Sequence, residues 1–309
     1  MSYPNAVIAG APKCGTTSIF DYLTRHPEIC GSTVKETRYL IDRGYSLFNK
    51  KRNYYKDGLK GYEYYFNHCE SEQYRLEVTP DYIYQQLPIK IFQELPETPK
   101  IIFILRRPSD RIFSLYQFAV NNMAVLDASI TFSDYVQLLR NDRSYFHGRH
   151  VLQNAIEHSK YINYLKKWQA VFKENVYVFL FEDLRKDPCK FMKTIANDLD
   201  ITGDFFESLQ YEKRNVTYKV RNQRLHSIQR RLANVGYISH RPRAVLSRCV
   251  IGLVRKIYRL ANIEDACAKR SGEDLKVLEE LDLEFHKYNE ELARCFGINI
   301  ALWQNSQPN

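Results

Sequence analysis

Long apolar runs are missing from this 309-residue chain. No stretch reaches the ~18 consecutive apolar residues that a membrane-spanning helix needs. The amino terminus, MSYPNAVIAGAPKCGTTS, has no basic segment leading into an apolar one, and its apolar run from Ala6 to Ala9 is strand-sized rather than signal-sized. CxxC pairs are missing too. The seven cysteines (Cys14, Cys30, Cys69, Cys189, Cys249, Cys267 and Cys295) form an odd set, which speaks against a zinc site and a disulfide framework and fits a reducing compartment. A soluble, cytoplasmic protein is the expectation. Zinc-finger spacing, an RNP-like segment and a helix-turn-helix signal are all lacking, which leaves no module for nucleic acid. Acidic residues are lacking locally: Lys213 to Arg259 holds thirteen Lys or Arg and no Asp or Glu.

What is present describes a folded chain. Hydrophobic residues make up 44% and aromatics 14%, enough for one sizeable core over residues 1–309. The net charge of +9 favours an anionic partner without choosing among phosphorylated cofactors, acidic sugars, lipid or nucleic acid.

Strand-like and helix-like segments alternate. Ala6–Ala9 reads as a short buried strand, followed by a Gly/Pro loop and a helical pattern from Thr17 to Arg25 that stops at His26-Pro27. Leu76–Thr79 is a second strand, and Lys100–Leu105 (KIIFIL) has the continuous β-branched character of a strand covered on both faces. Pro108 is placed to open a helix through Gln117. Val176–Phe181 precedes a helical pattern over Pro188–Leu199, and residues 273–296 carry helical apolar spacing. The expected fold is α/β: a central parallel sheet flanked by helices, with a basic helical segment (213–260) and a carboxy-terminal helix packed on it.

The loop between the first strand and first helix reads Gly10-Ala-Pro-Lys13-Cys14-Gly15-Thr16-Thr17-Ser18. Backbone N–H groups and the helix dipole make such a loop an anion cradle. It has the Gly-x4-Gly spacing of a nucleoside triphosphate loop, but Thr16 stands where that motif has its lysine. The lysine is Lys13, inside the loop, where it meets charge on a departing oxygen better than a terminal phosphate. PKCGTTS resembles the 5′-phosphosulfate loop of the sulfotransferases that use PAPS, the 3′-phosphoadenylylated sulfate donor. The resemblance implies a P-loop-NTPase-like domain that needs no metal. It assigns Lys13 to the 5′-phosphate and leaving group, and Cys14, Gly15, Thr16, Thr17 and Ser18 to the cradle.

A donor with a separate 3′-phosphate needs a second anion site. Arg106 ends the KIIFIL strand, at the edge where α/β sheets bind ligands, and Ser114 follows on the next helix. The stretch resembles the family's Arg-x-Pro-x5-Ser motif, which makes Arg106 and Ser114 the 3′-phosphate ligands; Arg111 recurs in the glycosaminoglycan-modifying branch. The competing reading is a surface arginine cluster with Asp110 as its partner.

Sulfuryl transfer to an alcohol benefits from a base beside the attacking oxygen. Lys35-Glu36-Thr37-Arg38-Tyr39-Leu40 stands where the heparan-type branch carries its glutamate, so Glu36 is the expected general base, with a carbohydrate or glycoconjugate as acceptor. Arg38 and Leu40 depart from the pattern. Leu76-Glu77-Val78-Thr79-Pro80-Asp81-Tyr82 resembles a second segment lining the family's site, with Val78 in place of its lysine; Glu77 is the alternative base. His26, before Pro27, reads as structural. Further landmarks are Tyr161-x3-Leu165-x2-Trp168 and Phe181-Glu182-Asp183-Leu184-x2-Asp187-Pro188.

Within the basic stretch, Arg214, Asn215, Val216, Thr217, Lys219, Arg221 and Arg224 fall where family members close over the nucleotide, without singling out one clamp. The remainder, interleaved with apolar residues, fits a helix packed on the domain with a solvated basic face, a helix on an anionic membrane surface, or a grip on an acidic polysaccharide. The alternative enzyme is a small-molecule or sugar kinase using ATP and Mg²⁺. It calls for an aspartate ending an apolar strand, and KIIFIL runs into Arg106 instead.

Overall fold

The computed structural model describes residues 3–212, 219–220, 262–264 and 270–304. Its centre is a five-stranded parallel sheet of β1 (Ala6–Gly10), β2 (Ile29–Gly31), β3 (Tyr74–Val78), β4 (Lys100–Leu105) and β5 (Val176–Leu180), in the order β2-β3-β1-β4-β5. Every residue of β1 is buried, as its run of small and β-branched side chains requires of a strand covered on both faces. It lies between β3 and β4, with Ala6 opposite both Leu76 and Lys100. The chain leaves β1 towards β2 and β3 on one side and returns to β4 on the other. That reversal opens a crevice at the carboxyl end of β1.

The helices follow their local signals. Helix α1 (Thr16–Leu23) starts at Gly15, whose φ of 79° is left-handed. Helix α2 (Leu87–Gln93) packs against α4 (Ile162–Phe172), while α3 (Pro108–Gln117) has proline in its first turn. Helix α5 (Phe181–Lys186) directly continues β5, and α6 (Pro188–Asp198) is capped by the Asp187 carboxylate accepting from Lys190 N–H. The 25-residue α7 (Gly272–Phe296) opens with a capping box of Ser271 and Asp274 and closes at Gly297 in the left-handed conformation.

Buried side chains form two clusters. The larger surrounds the sheet, with the Trp168 ring in contact with both Phe103 and Phe92. The smaller joins α3, the helix Phe132–Asn141 and α7 through Phe113, Phe132, Tyr135, Leu281 and Phe285. Charged ties hold α7 down: Arg107 and Ser109 both meet Asp282, and Arg270, just before the helix, meets Asp110 at 2.6 Å. No described helix is long and apolar enough to cross a membrane.

One expectation needs revision, one strand was not foreseen, and one expectation falls largely outside the described residues. Cys30 and Cys69 are joined in a disulfide, contrary to the reading of the cysteines as unpaired. The partners lie 39 residues apart, so no local spacing announces them; β2 and the segment before β3 bring them together. With the disulfide, cysteine usage ceases to argue for a reducing compartment. The strand β2 was not foreseen, because three residues carry too little periodicity to read. Apart from the two-residue pairing of Lys219–Val220 with Ile263–Glu264, the basic segment 213–260, with Arg214, Arg221, Arg224 and the amphipathic pattern, lies outside the described residues.

Candidate active site

The loop after β1 is the site's floor. Ala11 N–H donates to the Ile104 carbonyl at 2.8 Å, fastening the loop to β4. Lys13 and Gly15 both have left-handed backbones, with φ of 72° and 79°. A methyl group on Gly15 would come within 2.6 Å of the Phe181 ring, so only glycine fits there. Thr16 and Ser18 are buried at the start of α1, where the Ser18 N–H donates to the Gly15 carbonyl at 3.0 Å. The Cys14 side chain points away from this floor: it is fully buried and rests 3.9 Å from the Tyr161 hydroxyl. Burial pushes its thiol up to about 11, so it stays protonated and inert, and Cys14 has only its backbone to offer a ligand.

Burial, followed by the nearby Arg106, brings the Lys13 ammonium down to about 8. Its nitrogen sits 3.7 Å from the centre of the Phe118 ring. Arg106 continues from the end of β4, with its guanidinium over Phe181 at 5.2 Å and its carbonyl accepting from the Tyr161 hydroxyl at 2.9 Å. Among the described residues no carboxylate pairs with Arg106, whereas Arg107 is tied to Asp282 and Asp110 to Arg270. The arginine cluster therefore divides: Arg107 holds helices together, and Arg106 has no acidic partner among the described residues. Ser114 is half-buried on α3, one helical turn before Phe118.

Arg111 is fully buried; its Nη2 donates to the Tyr84 hydroxyl at 3.1 Å, and its Nε and Nη1 have no partner among the described residues. It lies under the loop, close enough to oppose the rise of the Cys14 thiol.

The opposite wall is the loop after β2. Glu36 accepts from Lys35 Nζ at 2.9 Å and from Arg38 Nη2 at 2.7 Å. Burial acts to raise its carboxyl, but Lys35 and Arg38 outweigh burial and hold it below the usual range. Its charge also reaches Lys13, which places Glu36 across the crevice from the phosphate loop. Glu77, on β3, is completely buried; its Oε1 accepts from Thr79 at 2.6 Å and Thr37 at 3.0 Å. Burial pushes it up to about 7. Asp81, likewise raised by burial to about 6, accepts from the Tyr45 hydroxyl at 2.9 Å. His26 is structural, held by the Thr202 carbonyl and stacked on Phe206.

Sequence reasoning overlooked four side chains that shape this site: Phe118, Tyr161, Phe181 and Asp81. Tyr161 and Phe181 belonged to recognised landmarks, but nothing local showed that they touch the loop and Arg106. Asp81 lay four residues beyond Glu77 in the same segment. Glu182, in another landmark, accepts from Arg107 N–H at 3.0 Å and Trp303 Nε1 at 2.9 Å, which anchors the turn after β4.

A phosphate-type loop, a desolvated lysine and an arginine without a carboxylate partner among the described residues, at the crevice of a parallel sheet, define a P-loop-like α/β protein. The sulfotransferase domain profile matches residues 4–249, and the chain belongs to that family. Over 217 residues it is 24% identical to the bifunctional heparan sulfate N-deacetylase/N-sulfotransferase 1 of Caenorhabditis briggsae, covering 67% of this chain and 24% of that protein. A shorter match, 34% identical over 121 residues, links it to the membrane-associated sulfotransferase kil1 of Dictyostelium discoideum, across 38% of this chain and 23% of that one. The chain thus spans about a quarter of the length of these relatives. The crystal structure of a sulfotransferase from Alicyclobacillus acidocaldarius shares the fold, with a TM-score of 0.58 at 23% identity over 76% of this chain and 93% of that one.

Proposed function

We propose that this protein transfers the sulfuryl group of PAPS to a hydroxyl of a carbohydrate or glycoconjugate. The observation that carries the reading is the pair of separate cationic positions, Lys13 and Arg106, at one sheet edge and both against structures that fix them. Such a pair suits a nucleotide with phosphate at both its 5′ and 3′ ends. The residues present fit that group: a desolvated ammonium, a guanidinium without a carboxylate partner among the described residues, and a loop of backbone donors. PAPS, when bound, supplies an activated sulfuryl group on a phosphate leaving group.

The chain's residues divide the remaining work. Gly15, Thr16, Thr17 and Ser18 cradle the 5′ end, with the Cys14 backbone, and Arg106 and Ser114 hold the 3′-phosphate. Lys13 meets negative charge on the phosphate oxygen as its bond to sulfur breaks. Glu36 takes the proton of the acceptor hydroxyl as the new sulfur–oxygen bond forms. Glu36 is favoured over Glu77 by access: Glu77 has no exposed surface and its Oε1 already serves two threonines. The saccharide acceptor is supported by the heparan sulfate relatives and by the place of Glu36 in the chain.

Calorimetry with adenosine 3′,5′-bisphosphate, against ATP plus Mg²⁺, tests the reading. Tight bisphosphate binding that is lost in Arg106→Ala is expected. Binding of ATP·Mg²⁺ alone would return the protein to the kinase reading.

A further inference from the structure

The Lys13 ammonium has a neighbour that the reaction scheme leaves unused. Its nitrogen lies 3.7 Å from the centre of the Phe118 ring, and no described carboxylate lies within ion-pairing distance of it. Phe118 follows α3 and opens a π-helical turn, Phe118–Asn122. It stands four residues after Ser114 and so on the same helical face. π-helical turns reshape a helix locally and recur at functional sites. Lys13 itself has φ of 72°, which L-residues seldom adopt, so the backbone aims this side chain in an uncommon direction. The other charges facing Lys13 are Arg106 from the end of β4 and Lys35 and Glu36 from the loop after β2, with the Cys14 thiol beside it.

We propose that Phe118 is a positioning residue for Lys13: its ring face holds the ammonium by a cation–π contact, covers one side of it, and leaves its remaining N–H bonds for the donor. A carboxylate in that place would hold the lysine as firmly but would cancel its charge and compete with the incoming phosphate. The ring keeps the ammonium in place without neutralising it. The arrangement also puts a contact to Lys13 and the 3′-phosphate ligand Ser114 one turn apart, so the helix that receives one end of the nucleotide also aims the lysine at the other. The proposal rests on the reading of Lys13 as the donor's 5′ contact.

The test is to place phenylalanines carrying one, two and three ring fluorines at position 118 and measure affinity for adenosine 3′,5′-bisphosphate by calorimetry. Fluorine withdraws electron density from the ring face and leaves its shape nearly unchanged. Affinity is expected to fall with each fluorine, by about tenfold across the series. In a Lys13→Ala background the series should be flat. Phe118→Trp should retain binding and Phe118→Leu should lose about tenfold. A flat series in a protein that binds the bisphosphate tightly overturns the role of Phe118 and leaves the functional reading intact, as does an equal slope in both backgrounds. Failure of the unmodified protein to bind the bisphosphate overturns both.

Discussion

The two walls of the crevice are built by different means. The donor wall is mostly backbone: the five-residue loop between β1 and α1 with the first turn of α1, together with the turn that ends β4. The acceptor wall is mostly side chain and is assembled over long sequence distances. Thr37 reaches Glu77, the Tyr82 hydroxyl accepts from Leu40 N–H at 3.2 Å, and Asp42 accepts from Gln86 and Leu87. Backbone cradles impose strict residue choices, glycine at position 15, where a side chain would strike Phe181, and proline where a helix begins. A side-chain wall tolerates exchange as long as each buried polar group keeps a partner. The donor wall should therefore change little among proteins that share the donor, while the acceptor wall is free to follow the acceptor.

The strongest way to break this comparison is Lys13→Ala. It should lower release of labelled sulfate from the donor, to acceptor or to water, by about 10³-fold. A loss of less than tenfold would remove Lys13 from the chemistry and strip the donor wall of its active group.

The disulfide tests the other side. Cys30→Ser with Cys69→Ser should lower the unfolding free energy by about 2–4 kcal/mol, read from urea titration, because a long loop is freed in the unfolded chain. Bisphosphate affinity should stay within about twofold, since the bond fastens β2 rather than the phosphate loop. A large loss of affinity would show that the two walls are not independent.

Glu36→Gln should reduce transfer by about 10²-fold with nucleotide affinity unchanged. Unchanged transfer would take Glu36 out of the mechanism and return the base to Glu77.

The smallest effect concerns Glu77 and pH. Burial raises its folded-state value from an ordinary 4.5 to about 7, so between those values the folded protein keeps a proton that the unfolded chain has released. Stability should accordingly fall as pH rises through that window, by on the order of 2 kcal/mol. Glu77→Gln keeps the side chain neutral and should flatten the slope in urea titrations at pH 5 and pH 7.5. A residue of slope should persist from Asp81, which burial raises in the same direction. An unchanged slope in the variant would mean that Glu77 stays ionised.

The same contrast governs what could be read from the chain alone. The loop around Lys13, the strand Lys100–Leu105 and the helix from Pro108 were legible because each is specified by neighbours in sequence: a glycine, a β-branched run, a proline. A parallel sheet followed from the alternation of strands and helices, but its edge strand β2 did not. The Cys30–Cys69 bond, the contact of Phe118 with Lys13 and the reach of Tyr161 to the Arg106 carbonyl were not legible, because each joins distant segments and leaves no periodic trace. Glu77 and Asp81 appeared as residues of one segment, but their burial is a property of the packed wall and not of that segment.

Phe181 touches both halves of the donor wall: it closes on Gly15 and lies under Arg106. The gap between the Lys13 loop and Arg106 is therefore a length written into the core. On the proposed reading, the span between these positions helps to select the nucleotide before any feature of the base is consulted. Enlarging Gly15, or shrinking Phe181, would therefore disturb the loop and Arg106 together.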